Sequence, residues 1–375
     1  MAGLVAMLTA CSSDELIEAQ QDPITFSVST ENVTRAASIA TTDALSSFTL
    51  YADYKATGGG TTLYLNGGTV TKSTSESTTT WTLSDGDIYW PASGTLDFYA
   101  VANNDEKSYT HSTKKVTHSV NSDISKQTDL IYAVTTGKSK PETGTAVALH
   151  FRHALSQITF MAKCANAHLK IAISGVKLYG VKGSGTFSLP TSGSTTNDDS
   201  TSGAEGTWDT SSTTDVTGYE FSLTTPVNLV GIQAATQLSY TAQNMLLIPT
   251  GGATTAWNKS SMKPQSGSSS ENTTTTVGSY LGLKCIIYNY VKDGENEYTV
   301  QLWPNPATSI DPAYIYIPAS FDWKIGHKYV YTFNFGGNTT GGYSEDGTQV
   351  LTPIDYTVDV KAFFNGTDDN KDVDM

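Results

Sequence analysis

Apolar and polar residues alternate with a period of two along most of the chain, and no long stripe with 3.6-residue spacing interrupts them. That is the pattern of antiparallel sheets with one buried and one wet face. The clearest run is Tyr329-Val330-Tyr331-Thr332-Phe333-Asn334-Phe335, which puts four aromatic rings on one face. Ile24, Phe26 and Val28 alternate with Thr25, Ser27 and Ser29 in the same way. Near the other end, Tyr356, Val358, Val360 and Ala362 alternate with Asp355, Thr357, Asp359 and Lys361. Between Cys285 and Trp303, two β-rich runs flank Lys292-Asp293-Gly294-Glu295, whose Asp-Gly step supplies the positive φ that a hairpin turn demands.

Further strands are predicted at 45–52, 79–83, 95–102, 129–134, 146–151, 156–163, 169–179, 185–189, 219–223, 244–248 and 314–318. The runs at 191–206 and 260–276 are almost wholly Ser, Thr, Gly and Asn, too poor in apolar area to offset their ordering entropy. They are expected to be mobile surface loops. At 135–145 Gly, Lys and Pro replace the apolar rhythm, which marks a domain boundary. The expected organisation is a leader at 1–10, a pro-segment at 11–35, a first β-sandwich at 36–142 and a larger, loop-decorated second sandwich at 143–375.

Composition narrows the function classes. The 375 residues carry 22 basic and 36 acidic side chains, a net charge of −14, which gives no cationic field for phosphates and disfavours nucleic-acid or anionic-membrane binding. Nothing after residue 11 approaches 18 apolar residues in a row, so no membrane-spanning helix is expected. The start, however, is apolar and ends in Leu8-Thr9-Ala10-Cys11 before an abrupt switch to Ser12-Ser13-Asp14-Glu15. Those residues resemble a bacterial lipobox, in which Cys11 takes the lipid and becomes the mature N-terminus. The other two cysteines, Cys164 and Cys285, sit in strand-like runs and fit either two buried thiols or one disulfide.

Catalytic constellations are missing from the sequence. It has no Gly-x-Ser-x-Gly, no phosphate-cradling glycine motif and no Cys-x-x-Cys. His150 and His153 have the best metal-like spacing, but three residues apart on a strand they point to opposite faces and read as core or rim histidines. Most acids fall in tails and loops, which argues against the carboxylate pair of a glycosidase. No enzyme activity, metal or cofactor is expected. Trp81, Trp208 and Trp257, near polar loops, suit either sugar stacking or plugging the end of a sandwich, and the second fits better.

Several phrases taken in order resemble the Bacteroidales fimbrillin family, the lipoprotein-derived pilins of type V pili. They are the lipobox at Cys11; Pro23-Ile24-Thr25-Phe26 followed by Val33-Thr34-Arg35-Ala36; Phe48-Thr49-Leu50-Tyr51; Ile88-Tyr89-Trp90-Pro91 with Leu96-Asp97-Phe98-Tyr99-Ala100; Asp129-Leu130-Ile131-Tyr132-Ala133; Phe151-Arg152-His153-Ala154-Leu155-Ser156-Gln157-Ile158; Leu246-Leu247-Ile248-Pro249; and Trp323-Lys324-Ile325-Gly326-His327-Lys328-Tyr329. The resemblance implies an all-β chain of two transthyretin-like Greek-key β-sandwich domains in tandem. It also implies delivery to the cell outer membrane as a lipoprotein, trimming by a trypsin-like, Arg-specific protease, and assembly with other fimbrial subunits into an adhesive fimbria with a host or glycan target.

The residues supply a physical route for that assembly. A cut between Arg35 and Ala36 would release the strand carrying Ile24, Phe26 and Val28. Stripping these three apolar side chains from a sheet would cost roughly 5 to 9 kcal/mol. A strand carrying Tyr356, Val358, Val360 and Ala362 from a neighbouring subunit has the matching alternation to fill the gap by β-augmentation. Donor and acceptor lie at opposite ends of one chain, so the contact does not close and a filament grows. This reading expects the Ile24–Ser29 segment to lie centrally in the first sandwich, hydrogen-bonded on both sides. The alternative is a surface glycan-binding lipoprotein of a polysaccharide-uptake system, which would need an exposed aromatic platform.

Overall fold

A computed structural model describes residues 22–30, 45–75, 78–102, 108–142, 144–193, 205–212, 216–238, 245–258, 278–337, 341–350 and 352–362. Within these the chain is all β, with one short 3-10 turn at Ile124–Lys126. In chain order the strands are β1 (Phe26–Thr30), β2 (Ser47–Lys55), β3 (Thr61–Ser75), β4 (Thr78–Leu83), β5 (Thr95–Ala102), β6 (Tyr109–Thr110), β7 (Lys115–Ser119), β8 (Ile131–Lys138), β9 (Val147–His153) and β10 (Ser156–Cys164). They continue with β11 (Leu169–Lys182), β12 (Ser184–Ser188), β13 (Thr207–Asp209), β14 (Val216–Val230), β15 (Gln233–Leu238), β16 (Met245–Leu247), β17 (Tyr280–Asp293), β18 (Asn296–Trp303), β19 (Ala313–Pro318), β20 (His327–Phe335) and β21 (Ile354–Ala362).

The first half forms one seven-stranded sheet in the order β1-β9-β8-β5-β2-β3-β4, bent so that β1 comes back against β4. Its concave face holds a core built on Phe26, Phe48, Leu50, Phe98, Leu149 and Phe151. The second half is a sandwich of two sheets, β15-β10-β20-β21 with β16 on β10, and β14-β11-β17-β18 with β19 on β17. Here the four-ring face of β20 meets Ile171, Ile173, Leu283, Cys285 and Ile287 of the opposite sheet. Cys164 and Cys285 are both free, buried thiols. Burial pushes the titration of each upward, as expected for inert core thiols.

A third core joins the halves. Strands β5 and β8 are buried on both faces: Phe98, Ala100, Ile131 and Ala133 face the first core, while Tyr99, Val101, Tyr132 and Val134 face the third. Double burial explains why these strands read as nearly continuous apolar runs. Their outer face is covered by a four-stranded sheet, β13-β12-β7-β6, in which β7 from the first half pairs with β12 from the second along Ser184↔Ser119 to Ser188↔Lys115. The strands on either side of residue 142 therefore share a sheet. The expected break at 135–145 is shorter than the sequence suggests, because β8 continues to Lys138 with the Gly137 N–H donating to the buried Asp97 carboxylate at 2.7 Å.

Between β9 and β10 the chain passes from the first sheet to the second through Ala154 and Leu155, both fully buried in the third core. Gly326 donates to the Leu155 carbonyl at 3.1 Å from a backbone with φ of 66°, a conformation that favours glycine. Ser156 Oγ donates to the Lys324 carbonyl at 2.8 Å. Two of the sequence phrases, 151–158 and 323–329, thus meet at this crossover. The predicted hairpin forms with Gly294 at φ 59° between Asp293 and Asn296.

Candidate functional site

The first element of interest is the N-terminal strand. β1 pairs in parallel with β9 from Phe26↔Val147 to Thr30↔Phe151, and Ser29 Oγ and His150 Nδ1 share a hydrogen bond of 2.7 Å across the pair. Ahead of it, Ile24 donates to the Ile88 carbonyl at 2.8 Å and Pro23 bridges Tyr89. Ile24 and Phe26 are buried, with Phe26 edge-on to Phe98 at 5.7 Å, while Val28 is half-buried.

The expected central position is corrected by this geometry. β1 is the outermost strand of its sheet, with a full ladder on one side and contact with 88–89 only at its N-terminal end. The physical reason lies in β9, whose 147–151 half pairs with β1 and whose register to β8 is confined to Ile131↔His153 and Tyr132↔Arg152. β1 is a lid along one edge, sealing two apolar side chains. Cys11, Arg35 and Ala36 lie outside the described residues.

The second element is the C-terminal strand. β21 pairs antiparallel with β20, Ile354↔Phe335 through Ala362↔His327, and is the outermost strand of its sheet. Ile354 is buried and Tyr356 half-buried, with its ring 6.0 Å from that of Tyr331. Val358 and Val360 are 38% and 57% exposed although they stand opposite the buried Tyr331 and Tyr329. Their apolar face is oriented as a core face would be, yet its own domain leaves it largely uncovered.

The histidines fall into structural roles. His153 is buried and hydrogen-bonded through Nδ1 to the fully buried Asp129 at the β8–β9 junction. His118 on β7 packs against the Trp208 ring at 6.3 Å, and its buried Nε2 has no hydrogen-bond partner among the described residues. Burial lowers its titration below the ordinary histidine value, with the Asp129 charge opposing that shift. The unfolded chain therefore takes a proton near pH 6.5 that the folded chain refuses, and stability falls as pH drops through that value. Replacing His118 by Phe should flatten the urea midpoint between pH 7.5 and 5.5. An unchanged pH slope would exclude His118 as a source of acid sensitivity.

Among the described residues no group of three or more His, Cys, Asp or Glu could hold a metal ion, and no helix is long and apolar enough to cross a membrane. None of the six tryptophans stands exposed. Trp81 is buried against Phe48, Trp257 is buried among Tyr280 and Tyr343, and Trp208 donates from Nε1 to the Ala154 carbonyl at 2.6 Å. The indoles fill the protein rather than forming a sugar platform.

The first and last described strands each end a sheet, β1 folded back against β4 and β21 paired only with β20, and sheet-end strands are where pairing with other strands can occur. Residues 34–358 match a family model described as fimbrillin-like, and the chain belongs to this fimbrillin-like family, which is not a known enzyme family. Similar solved structures include a candidate cell adhesion protein from Bacteroides uniformis, at 15% identity and TM-score 0.39, covering 91% of this chain and 98% of that one. Another, from Parabacteroides distasonis, has 11% identity and TM-score 0.46 and covers 91% and 100%. The tip fimbrial protein Mfa3 from Porphyromonas gingivalis, solved with a C-terminal truncation, has 9% identity and TM-score 0.35 and covers 89% and 99%. No curated protein matches this chain in sequence.

Proposed function

We propose that this protein is a structural or tip subunit of an adhesive fimbria, displayed at the cell surface and assembled by strand exchange between subunits. The precursor reaches the outer membrane acylated at Cys11. An Arg-specific protease cuts between Arg35 and Ala36, β1 departs, and the edge of β9 with its apolar pocket becomes an acceptor. The C-terminal strand of the next subunit, with Tyr356, Val358, Val360 and Ala362 on one face, fills it. The seven-stranded sheet, with its β9 edge, then supplies the acceptor and the C-terminal sandwich the donor.

The observation that carries this reading is the exposure of Val358 and Val360 on an edge strand. On leaving its own sheet this strand gives up one ladder and the burial of Ile354 and Tyr356, and in a neighbour it gains a new ladder and the burial of Val358 and Val360 as well.

The test combines trypsin treatment with a double substitution, Val358→Asp and Val360→Asp. Because both side chains are exposed, the monomer's urea stability should change by less than about 1 kcal/mol. Trimmed wild-type protein should form ladders resistant to mild denaturant, and the double variant should not. Ladders that persist unchanged in the variant would remove β21 as the donor. A trimmed wild type that remains monomeric and is retained on a glycan column would favour the glycan-binding alternative.

A further inference from the structure

Away from both strand termini, the β6–β7 turn carries a compact trio of reactive groups. Lys114 Nζ lies 2.7 Å from Asp53 Oδ2 and 2.7 Å from His111 Nε2, and the same imidazole nitrogen lies 2.7 Å from Asp53 Oδ1. The amine, the carboxyl and a proton carrier are thus in mutual contact. The walls are aromatic: the Tyr99 ring centroid is 4.3 Å from Nζ, Tyr51 stacks on His111 at 5.1 Å, and the Tyr109 hydroxyl reaches His111 Nδ1 at 3.2 Å. All three polar side chains are mostly buried, with 13%, 11% and 22% exposure for Asp53, His111 and Lys114.

The backbone singles out Lys114 independently. At φ 56° it is the one non-glycine residue with positive φ among the described residues. The last position of this four-residue loop would be filled at no steric cost by glycine, whereas a side chain there costs about 1–2 kcal/mol. Its carbonyl is fixed by the Leu189 N–H at 2.9 Å, so the strained residue cannot relax without breaking the edge of the bridging sheet. The strain holds the amine against Asp53, on a different sheet and 61 residues away in sequence.

We propose that Asp53 and Lys114 condense into an intramolecular amide, a covalent staple between the seven-stranded sheet and the four-stranded sheet that bridges the two halves. Nζ attacks the Asp53 carboxyl carbon, one N–C bond forms and one C–O bond breaks. Starting from the ion pair, two ammonium protons leave with the departing oxygen as water and the third stays on the amide nitrogen. No oxidation state changes and no co-reactant is consumed. His111, in contact with both groups, carries the protons across. Burial lowers its titration, leaving a neutral imidazole able to accept the first of them. Fixing the two reactants in contact removes much of the entropic barrier that free carboxylate and amine face in water.

The experiment is the intact mass of the purified full chain after denaturation, compared with Lys114→Arg, which keeps the ion pair but offers no acylable amine. Wild type should be lighter than its processed sequence by one water. A digest should yield a branched peptide joining the segments around Asp53 and Lys114, absent from the Lys114→Arg variant. In a time course from freshly made protein, His111→Ala should condense at least tenfold more slowly. Wild-type protein that keeps its full mass after prolonged incubation, with no branched peptide, would overturn the proposal. Equal rates in wild type and His111→Ala would overturn the relay while leaving the bond.

Discussion

A chain lacking residues 22–30 should unfold at markedly lower urea, with a loss of roughly 3 to 6 kcal/mol. Each of the two buried side chains it removes, Ile24 and Phe26, accounts for about 1.5 to 3 kcal/mol. The sequence pattern alone assigned the loss to three apolar side chains, but Val28 is only half-buried and adds little. Phe26 dominates, since its ring meets Phe98, which also packs edge-on against Trp90 at 6.5 Å. Adding a synthetic peptide of residues 22–30 to the shortened protein should restore the midpoint, because the ladder along Val147–Phe151 and the pocket are both still present. An unchanged midpoint on deletion would show that β1 seals nothing, and the acceptor would disappear from the proposed assembly.

The second large effect is expected at the Asp129–His153 pair. Both side chains are essentially excluded from solvent, at 0% and 2% exposure, so removing the imidazole leaves a carboxyl group buried without its partner. Replacing His153 by Ala should cost about 3–5 kcal/mol, measured by urea unfolding. A double replacement, Asp129→Leu with His153→Leu, should recover a substantial part of that loss, since an apolar pair leaves no buried polar group to satisfy. If the single and double variants lose the same amount, the destabilisation comes from lost packing and the pair has no electrostatic role.

The strands that carry the assembly argument were legible because each has one wet face. β1, β20 and β21 announce themselves by alternation, and the Asp293-Gly294 turn by its backbone requirement. β5 and β8 were legible for the opposite reason, since burial on both faces leaves a dense apolar run. The missed strands are largely polar ones. β3, Thr61–Ser75, exposes most of its side chains and carries two consecutive glycines, so only its pairing with β2 and β4 makes it a strand. β7, β13 and β15 are short or polar and are held in place by partners distant in sequence, while β6 is only the two-residue arm of a hairpin with β7.

The candidate site was legible unevenly for the same reason. Alternation put Ile24 and Phe26 together on what is a buried face, but whether a strand lies central or outermost depends on non-local pairing that no local pattern encodes. His153 read correctly as a core histidine, while its partner Asp129 lay unnoticed inside an apolar phrase. The Asp53–His111–Lys114 cluster left one faint trace, a lysine where a tight loop would favour glycine, and that becomes meaningful only once φ is known.

The crossover at Ala154–Leu155 has a mechanical consequence. β9 turns at Ala154–Leu155 into β10, β10 lies parallel to β20 from Gln157↔Lys328 to Cys164↔Phe335, and the chain beyond β20 leads to the strand proposed as donor. In a fibre built as proposed, tension enters β10 at its N-terminal end and leaves β20 at its C-terminal end, so the parallel ladder between them is pulled along the strands. Hydrogen bonds loaded in that direction share the pull together instead of opening one after another like a zipper. The same crossover that seals the junction therefore makes each subunit a shear-loaded link, suited to holding a cell against flow.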